Sequence, residues 1–335
     1  MSEKTEKKRL SILKVLREAE KPLPCAAVAE ELLAAGLEIS ERTVRFYLKR
    51  LDDEGFTESI GRKGHFITSR GREELAQARI IERVGYLPAK INQMTYRMNY
   101  DLSTGTGAVI ANVSTIKAEQ LEDAVPRIYK VFEAGYAMGS LIALFPPGAQ
   151  EGETTHARGT VGIGTVCSIT LNGVLLAHGI PTYSTFGGIL ELHNHEPRRF
   201  VEVIHYDHTT LDPLEIFIRS GMTDYVGATE TGCGRIGAGF RELPAETRED
   251  AVRIAERLES IGLGGFLTVG WPGQPVVEIP VQHERVGAVV MGGLNPIGFL
   301  EEAGIETQST AMAALVDCRA FFPFQELETR IRNLL

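Results

Sequence analysis

Four of the eight histidines fall within sixteen residues: His193 and His195 in Leu-His-Asn-His, then His205 and His208 with Asp207 between them. His-x-His places two imidazoles on one face of a strand, and His-x-x-His can clasp a metal from a turn. Neither spacing is a structural-zinc pattern, and the matching stretch of a second, related half of the chain has no histidine. A bound metal at His193, His195, His205 and His208 is therefore the alternative chemistry. The leading one is capture of a small anion. Arg158, Arg198, Arg199 and Arg235 are its candidate cations. Ser184 and Thr185, after Pro181, would cap a short helix and offer its N-terminus to a carboxylate. Cys167 lies on the run Thr-Val-Cys-Ser-Ile-Thr-Leu, whose side chains alternate by face if it is a strand, and His178 would end the next strand. The turns Thr104–Gly107 and Thr231–Gly234 could cradle an anion with backbone N–H groups, although glycines there equally permit a tight entry into a strand.

Catalytic signatures are missing: the chain has no Walker loop, GxSxG, HExxH, or GxGxxG followed by a suitably placed acid. The expectation is a binding protein without catalytic residues. The rival is a metal-dependent enzyme or metal sensor built on the histidines.

A third constellation is cationic. Lys8–Glu18 and Ala26–Ala35 read as helices, the second ended by Gly36. Ser40 is a good N-cap for a third helix that runs to Glu54 and stops at Gly55. Its Val44, Tyr47, Leu48 and Leu51 share one face, while Arg42, Thr43, Arg45, Phe46, Lys49 and Arg50 occupy the other. Two β-prone runs, Phe56–Ile60 and His65–Thr68, flank Gly61-Arg62-Lys63-Gly64, a tight hairpin with a basic tip. Three helices and such a hairpin make a winged helix-turn-helix over 1–75. The third helix would enter the major groove, and Arg62 and Lys63 would meet the backbone or minor groove. A solvated basic face on a protein-binding winged helix is the plainer reading. Cations on both reading elements favour double-stranded DNA.

After a linker helix and connection over 76–100, led in by Arg72–Arg83, comes a body over 101–325. Thr104–Val125 and Thr231–Val252 are identical at ten of 22 positions at a constant offset of 127, where unrelated sequences give roughly one or two. Gly173–Pro181 also resembles Gly287–Asn295 at an offset of 114, which implies about a dozen extra residues near Gln150–Gly162 in the first copy. The fold class is thus α/β with a helix-rich winged-helix head. The body is an internally duplicated α/β domain, with copies over 104–220 and 231–322 and pseudo-twofold symmetry. Each copy is expected to run strand (Ala108–Val113; Arg235–Phe240), helix (Glu119–Ala134; Glu246–Ile261), strand (Ser140–Phe145; Gly265–Val269). Two more strands follow (Thr165–Leu171 with Val174–Ala177; Val276–Val281 with Ala288–Met291), then a short helix (Thr185–Leu192; Pro296–Ala303). The copies close on strands at Phe200–Tyr206 and Met312–Phe321.

Composition agrees. A 43% hydrophobic, 24% charged chain of 335 residues is ordinary globular material with room for a head and a larger body. Residues 1–84 carry 17 Lys+Arg against 15 Asp+Glu, and residues 85–335 carry 18 against 29. A mildly basic head on an acidic body suits contact with DNA at one end only. No apolar run approaches the ~20 residues of a membrane span, and the N-terminus lacks a secretory core. Cys25, Cys167, Cys233 and Cys318 are scattered, with no CxxC pair, which suits a reducing cytoplasm.

The head motif SERTVRFYLKRLDDEGF and the body motifs GTVCSITLNGVLLAHGIP, GATETGCGRIGAGFREL and VGAVVMGGLNPIGFLEEAG resemble the NrpR family. These are nitrogen-regulation repressors of methanogenic archaea, with relatives elsewhere. The likeness spans nearly the whole chain, and the body motifs are its more specific part. The resemblance implies a homodimeric repressor on palindromic operators of nitrogen-assimilation genes, released by 2-oxoglutarate. Some members carry two effector domains after the head. With one, this chain would act alone as a dimer or with a related subunit that lacks a head.

Overall fold

The computed structural model describes residues 3–19, 21–34, 37, 39–75, 87–152 and 154–334, in two compact units that divide after Val84. In the first unit, α1 (Glu3–Glu18), α2 (Cys25–Ala34) and α3 (Glu41–Asp53) precede β1 (Thr57–Ser59), β2 (His65–Ile67) and α4 (69–75). Periodic apolar residues close one core: Ile12, Leu13 and Leu16 from α1, Val28 and Leu32 from α2, Val44, Leu48 and Leu51 from α3, with Ile67 and Leu75. Ser40 caps α3, its hydroxyl accepting from the Thr43 N–H at 3.3 Å. β1 and β2 pair antiparallel around a 3-10 turn at Gly61–Lys63. Gly64 (φ +105) must be glycine, because a Cβ would stand 2.2 Å from the Leu23 carbonyl carbon. Of the expected linker helix only residues 72–75 are described, in α4; its remainder, like Gly36, lies outside the described residues.

The second unit begins with α5 (Leu87–Arg97). It continues β3 (Ala108–Lys117), α6 (Leu121–Glu133), β4 (Leu141–Phe145), β5 (Gln150–Glu151), β6 (Thr154–Thr155), β7 (Thr160–Val166), α7 (Ile169–Ala177), β8 (Tyr183–His193) and β9 (Glu196–His205). After α8 (Pro213–Arg219) and α9 (Tyr225–Thr231) come β10 (Gly234–Pro244), α10 (Arg248–Ser260), β11 (Phe266–Val269), β12 (Arg285–Met291), α11 (Asn295–Glu302) and β13 (Gln308–Asp317). β14 (Phe322–Pro323) and α12 (Leu327–Leu334) end the unit. Two five-stranded sheets result, ordered β13-β3-β7-β4-β14 and β11-β12-β10-β8-β9, all pairs antiparallel. β8 follows the first run of elements yet joins β10. β13 follows the second run yet joins β3. α6 buries Leu121, Ile128, Val131 and Phe132 in one core, and α10 buries Ala251, Ile254 and Leu258 in another.

Several expected elements differ. Val174–Ala177 is helical, inside α7, and Thr185–Leu192 is the middle of strand β8. Thr185–Leu192 is buried almost throughout and so lacks the alternation of a half-buried strand, while Val174–Ala177 is too short an apolar run to show either period. Val276–Val281 forms a turn closed by a Val276–Ile279 bridge, and only 285–291 is strand. Apart from the short β5–β6 pair, which only the first run has, the order strand, helix, strand, strand, helix, strand recurs from Ala108 and from Gly234 with almost constant spacing. The second offset and the inserted loop therefore fall away: Gly173–Ala177 is the end of a helix, whereas Gly287–Met291 is strand.

Candidate functional site

The polar face of α3 is open to solvent. Arg42, Arg45, Phe46, Lys49, Arg50 and Lys63 are exposed and Thr43 is half-buried. Arg45 holds Glu41 at 2.5 Å, and the Arg50 guanidinium lies 4.7 Å from the Phe46 ring centroid, which pre-orients that cation. Arg42 and Lys49 have no ion pair among the described residues. Asp52 ties the wing to this helix: it accepts from Thr57 Oγ1 at 2.6 Å and meets His65 Nδ1 at 3.0 Å. One carboxylate thus sets both wing strands against the helix. Arg62 lies in the turn at the wing tip.

The second unit brings Cys167 together with residues that sequence reasoning missed. Cys167 and Ser168 form the turn between β7 and α7, so they do not alternate along one long strand. That turn packs on its counterpart after β12, since a Cβ on Gly293 would fall 2.4 Å from the Val166 carbonyl oxygen and 3.2 Å from Cys167 Cα. Around this contact Asn112, Tyr206, Asp212, Leu294 and Ala311 line a closed pocket of about 10 Å³. At its edge Met312 holds φ +48 where β13 is bulged, a strained backbone of the kind that collects at ligand sites.

Arg241, on β10, is 1% exposed, and the described residues offer it no carboxylate. Its Nη2 donates to Ser168 Oγ at 3.2 Å, Nε to Asn172 Oδ1 at 3.3 Å and Nη1 to the Phe240 carbonyl at 3.1 Å. The guanidinium also faces the Tyr206 ring, 5.5 Å from its centroid. Asn172 in turn donates to Ser184 Oγ at 2.9 Å. Every partner of this buried cation is neutral, so its charge is solvated by dipoles alone, an unfavourable state that an anion would relieve. Only one hint in the sequence pointed to it: at the offset of 127, Arg241 stands where the first copy has Ser114. Burial pushes the Cys167 thiol up to about 12, so Cys167 is a protonated, apolar wall and not a nucleophile.

Asp212 caps α8, accepting from the Leu214 N–H at 2.9 Å. Although part of the residue reaches solvent, burial first and neighbouring Glu215 second push its carboxyl up to about 6. A raised carboxyl favours folding below the ordinary pKa of about 4, and that advantage is lost as pH rises through 6. Asp212→Asn, which keeps the cap, should therefore unfold like the parent at pH 4 but be about 1–2 kcal/mol more stable at pH 8. Urea melts at the two pH values check this, and a gain of equal size at both would rule out the ionisation argument.

The other proposed contacts are dispersed. Arg158 is exposed in the turn before β7. His178 caps the C-terminus of α7, its Nδ1 2.8 Å from the Val174 carbonyl. Ser184 and Thr185 open strand β8 and cap no helix; Thr185 Oγ1 is buried without a partner among the described residues. Arg198 and Arg235 line a separate open cleft of about 630 Å³, and Arg199 pairs with Glu191 at 3.0 Å beside it. The histidines do not cluster. His193 ends β8, His195 lies in the β8–β9 turn, and His205 pairs with Phe186 at the far end of β9, with His208 in the turn after it. The length of β9, about 3.3 Å per residue, separates the pairs. Among the described residues no three His, Cys, Asp or Glu side chains are arranged to hold a metal, and no helix is long and apolar enough to cross a membrane.

Comparison with known proteins agrees with this division. Residues 84–322 match the family of NrpR regulatory domains NRD1 and 2, and residues 10–75 match the ribonuclease R winged-helix domain. The global nitrogen regulator NrpRI of Methanosarcina mazei is 34% identical over 317 residues, covering 95% of this chain and 98% of that protein. The global nitrogen regulator NrpR of Methanococcus maripaludis is 31% identical over 308 residues, 92% of this chain but 54% of that one. The crystal structure of a nitrogen repressor-like protein from Methanococcus jannaschii superposes with a TM-score of 0.61 at 26% identity, covering 72% of this chain and 99% of that one. A regulatory body matched over most of its length, joined to a winged head, places the chain in the NrpR family of nitrogen regulators.

Proposed function

We propose that the chain is a DNA-binding repressor of nitrogen-assimilation genes, cytoplasmic and homodimeric, which a small dicarboxylate, 2-oxoglutarate, releases from a palindromic operator. The observation that carries the DNA part is the open row Arg42, Lys49 and Arg50 on a capped α3 beside a basic wing. The observation that carries the effector part is Arg241, a buried cation whose partners are all neutral. The small pocket beside it, lined by its neighbours Ser168 and Tyr206, must open to admit a five-carbon diacid and bring it to the guanidinium. The effector then selects between two states of the body, as a sensor requires. By linkage, an effector that weakens DNA binding tenfold must itself bind the DNA-bound form tenfold more weakly, about 1.4 kcal/mol of coupling. The protein works by binding, without a catalytic step. The recurring element order and the reciprocal placement of β8 and β13 support a duplicated body with pseudo-twofold symmetry, and superposition of 108–193 on 234–317 tests it.

A second location is favoured by one observation: Arg198 and Arg235 face a cleft and have no ion pair among the described residues. One assay decides: anisotropy of labelled upstream DNA with and without 2-oxoglutarate, for the parent and for Arg241→Met, Arg158→Ala, Arg198→Ala, Arg199→Ala and Arg235→Ala. The reading requires the parent to release DNA as 2-oxoglutarate is added. A variant that binds DNA normally but ignores the effector marks the pocket. A parent deaf to the diacid removes the nitrogen-sensing role.

A further inference from the structure

The cleft on the β8–β9 hairpin is lined by Glu191, His193, Arg198, Asp224, Cys233 and Arg235. Its two carboxylates are engaged: Glu191 by Arg199 at 3.0 Å, and Asp224 by the Gly227 N–H at 2.8 Å, where it caps α9. Its two guanidinium groups, Arg198 and Arg235, have no ion pair among the described residues. Arg198 is the extra residue of a bulge in β9, between Pro197 opposite Leu192 and Arg199 opposite Glu191. A bulge re-aims the side chain it carries.

Cys233 is half-buried in this cleft, with its Sγ 3.7 Å from His193 Nδ1. The Asn194 N–H points to the same sulfur at 3.4 Å. The hairpin turn holds that arrangement: Asn194 and His195 both take positive φ, the His195 N–H donates to the Gly232 carbonyl at 2.8 Å, and Tyr136 meets His195 Nδ1 at 2.9 Å. A half-exposed thiol beside an imidazole, a backbone donor and two unpaired cations matches the surroundings of exchange-competent cysteines.

We propose that this cleft is a thiol–disulfide exchange site, in which Cys233 is modified by an anionic low-molecular-weight disulfide held by Arg198 and Arg235. Cys233 gives its proton to His193 and attacks one sulfur of the disulfide. A new S–S bond forms to Cys233, the S–S bond of the reagent breaks, and the second half leaves as a thiolate. The cysteine is oxidised and the departing half is reduced. This does not depend on where the effector binds.

The test compares dianionic 5,5′-dithiobis(2-nitrobenzoate) with neutral 4,4′-dithiodipyridine on the full chain carrying Cys25→Ser and Cys318→Ser. Buried Cys167 is the remaining thiol, and mass mapping assigns the modified residue. Steering by two guanidinium groups should make the ratio of anionic to neutral rates at Cys233 roughly tenfold higher in the folded chain than in urea. Arg198→Ala with Arg235→Ala should bring the ratio down to the urea value, and Arg198→Lys with Arg235→Lys should keep it. Equal ratios in folded and unfolded chains, or a ratio that survives loss of both guanidinium groups, would overturn the proposal.

Discussion

Arg241→Met should give a protein about as stable as the parent that no longer hears its effector. The guanidinium is 1% exposed and has only neutral partners. Removing a buried charge lifts a desolvation cost of a few kcal/mol. Asn172, Ser168 and the Phe240 carbonyl each lose a donor, at about 1 kcal/mol apiece. The two contributions nearly cancel, so the melting temperature should stay within roughly 4 °C of the parent's. Effector binding falls, since losing a charge-assisted contact to a carboxylate costs about 1.5–3 kcal/mol, a loss of roughly 10- to 150-fold in affinity. Calorimetry with 2-oxoglutarate and a thermal melt of the same sample measure both. An effector affinity unchanged within about twofold would make Arg241 structural and move the search to the Arg198–Arg235 cleft.

The other large effect lies in the head. Arg42, Lys49 and Arg50 on α3, with Arg62 and Lys63 at the wing, suggest about four phosphate or base contacts per head and about eight per dimer. At roughly 0.9 counterions released per phosphate, the logarithm of the binding constant should fall against the logarithm of salt with a slope near −7. Arg42→Ala, Lys49→Ala and Arg50→Ala together should cut the slope to about −2 and lower operator affinity by several powers of ten at about 0.1 M salt. Arg62→Ala with Lys63→Ala should flatten the slope while sequence preference persists, because phosphate contacts position a reader without specifying the base. A parental slope shallower than about −3 would remove α3 and the wing as the DNA surface.

The head was legible because its signals are local. Ser40 as N-cap, Val44, Tyr47, Leu48 and Leu51 at helical spacing, and Gly61 and Gly64 around the wing tip each act within a few residues of themselves. All of them match the described structure. The same logic explains why the first helix of each run was placed nearly to its ends, although each first strand extends four residues beyond its expected end: Glu246–Ile261 has one apolar stripe and a charged outer face. Where both faces of an element are buried, as in α7 and β8, that contrast vanishes. The end of the expected strand Thr165–Leu171, the expected strand Val174–Ala177 and the expected helix Thr185–Leu192 were accordingly misassigned, and Ser184 and Thr185 lost the helix they were meant to cap.

Residue types and spacing by themselves pointed to a winged-helix head with cations on its reading elements, to two similar stretches of body sequence, and to no recognisable catalytic motif. They also named Cys167, Arg198 and Arg235 as groups to watch. Only the tertiary structure decided which of these meet. Sheet pairing sends β8 to the second set of strands and β13 to the first, and this crossing sets Ser168, Asn172 and Tyr206 around Arg241, up to 73 residues away in the chain. It also pulls the histidines apart, since the ten residues of β9 run from just after His195, in the turn before it, to His205, its last residue. Chain-local propensity carries no information about a neighbour brought in by another strand, so a buried cation among neutral partners becomes visible only when the sheets are assembled.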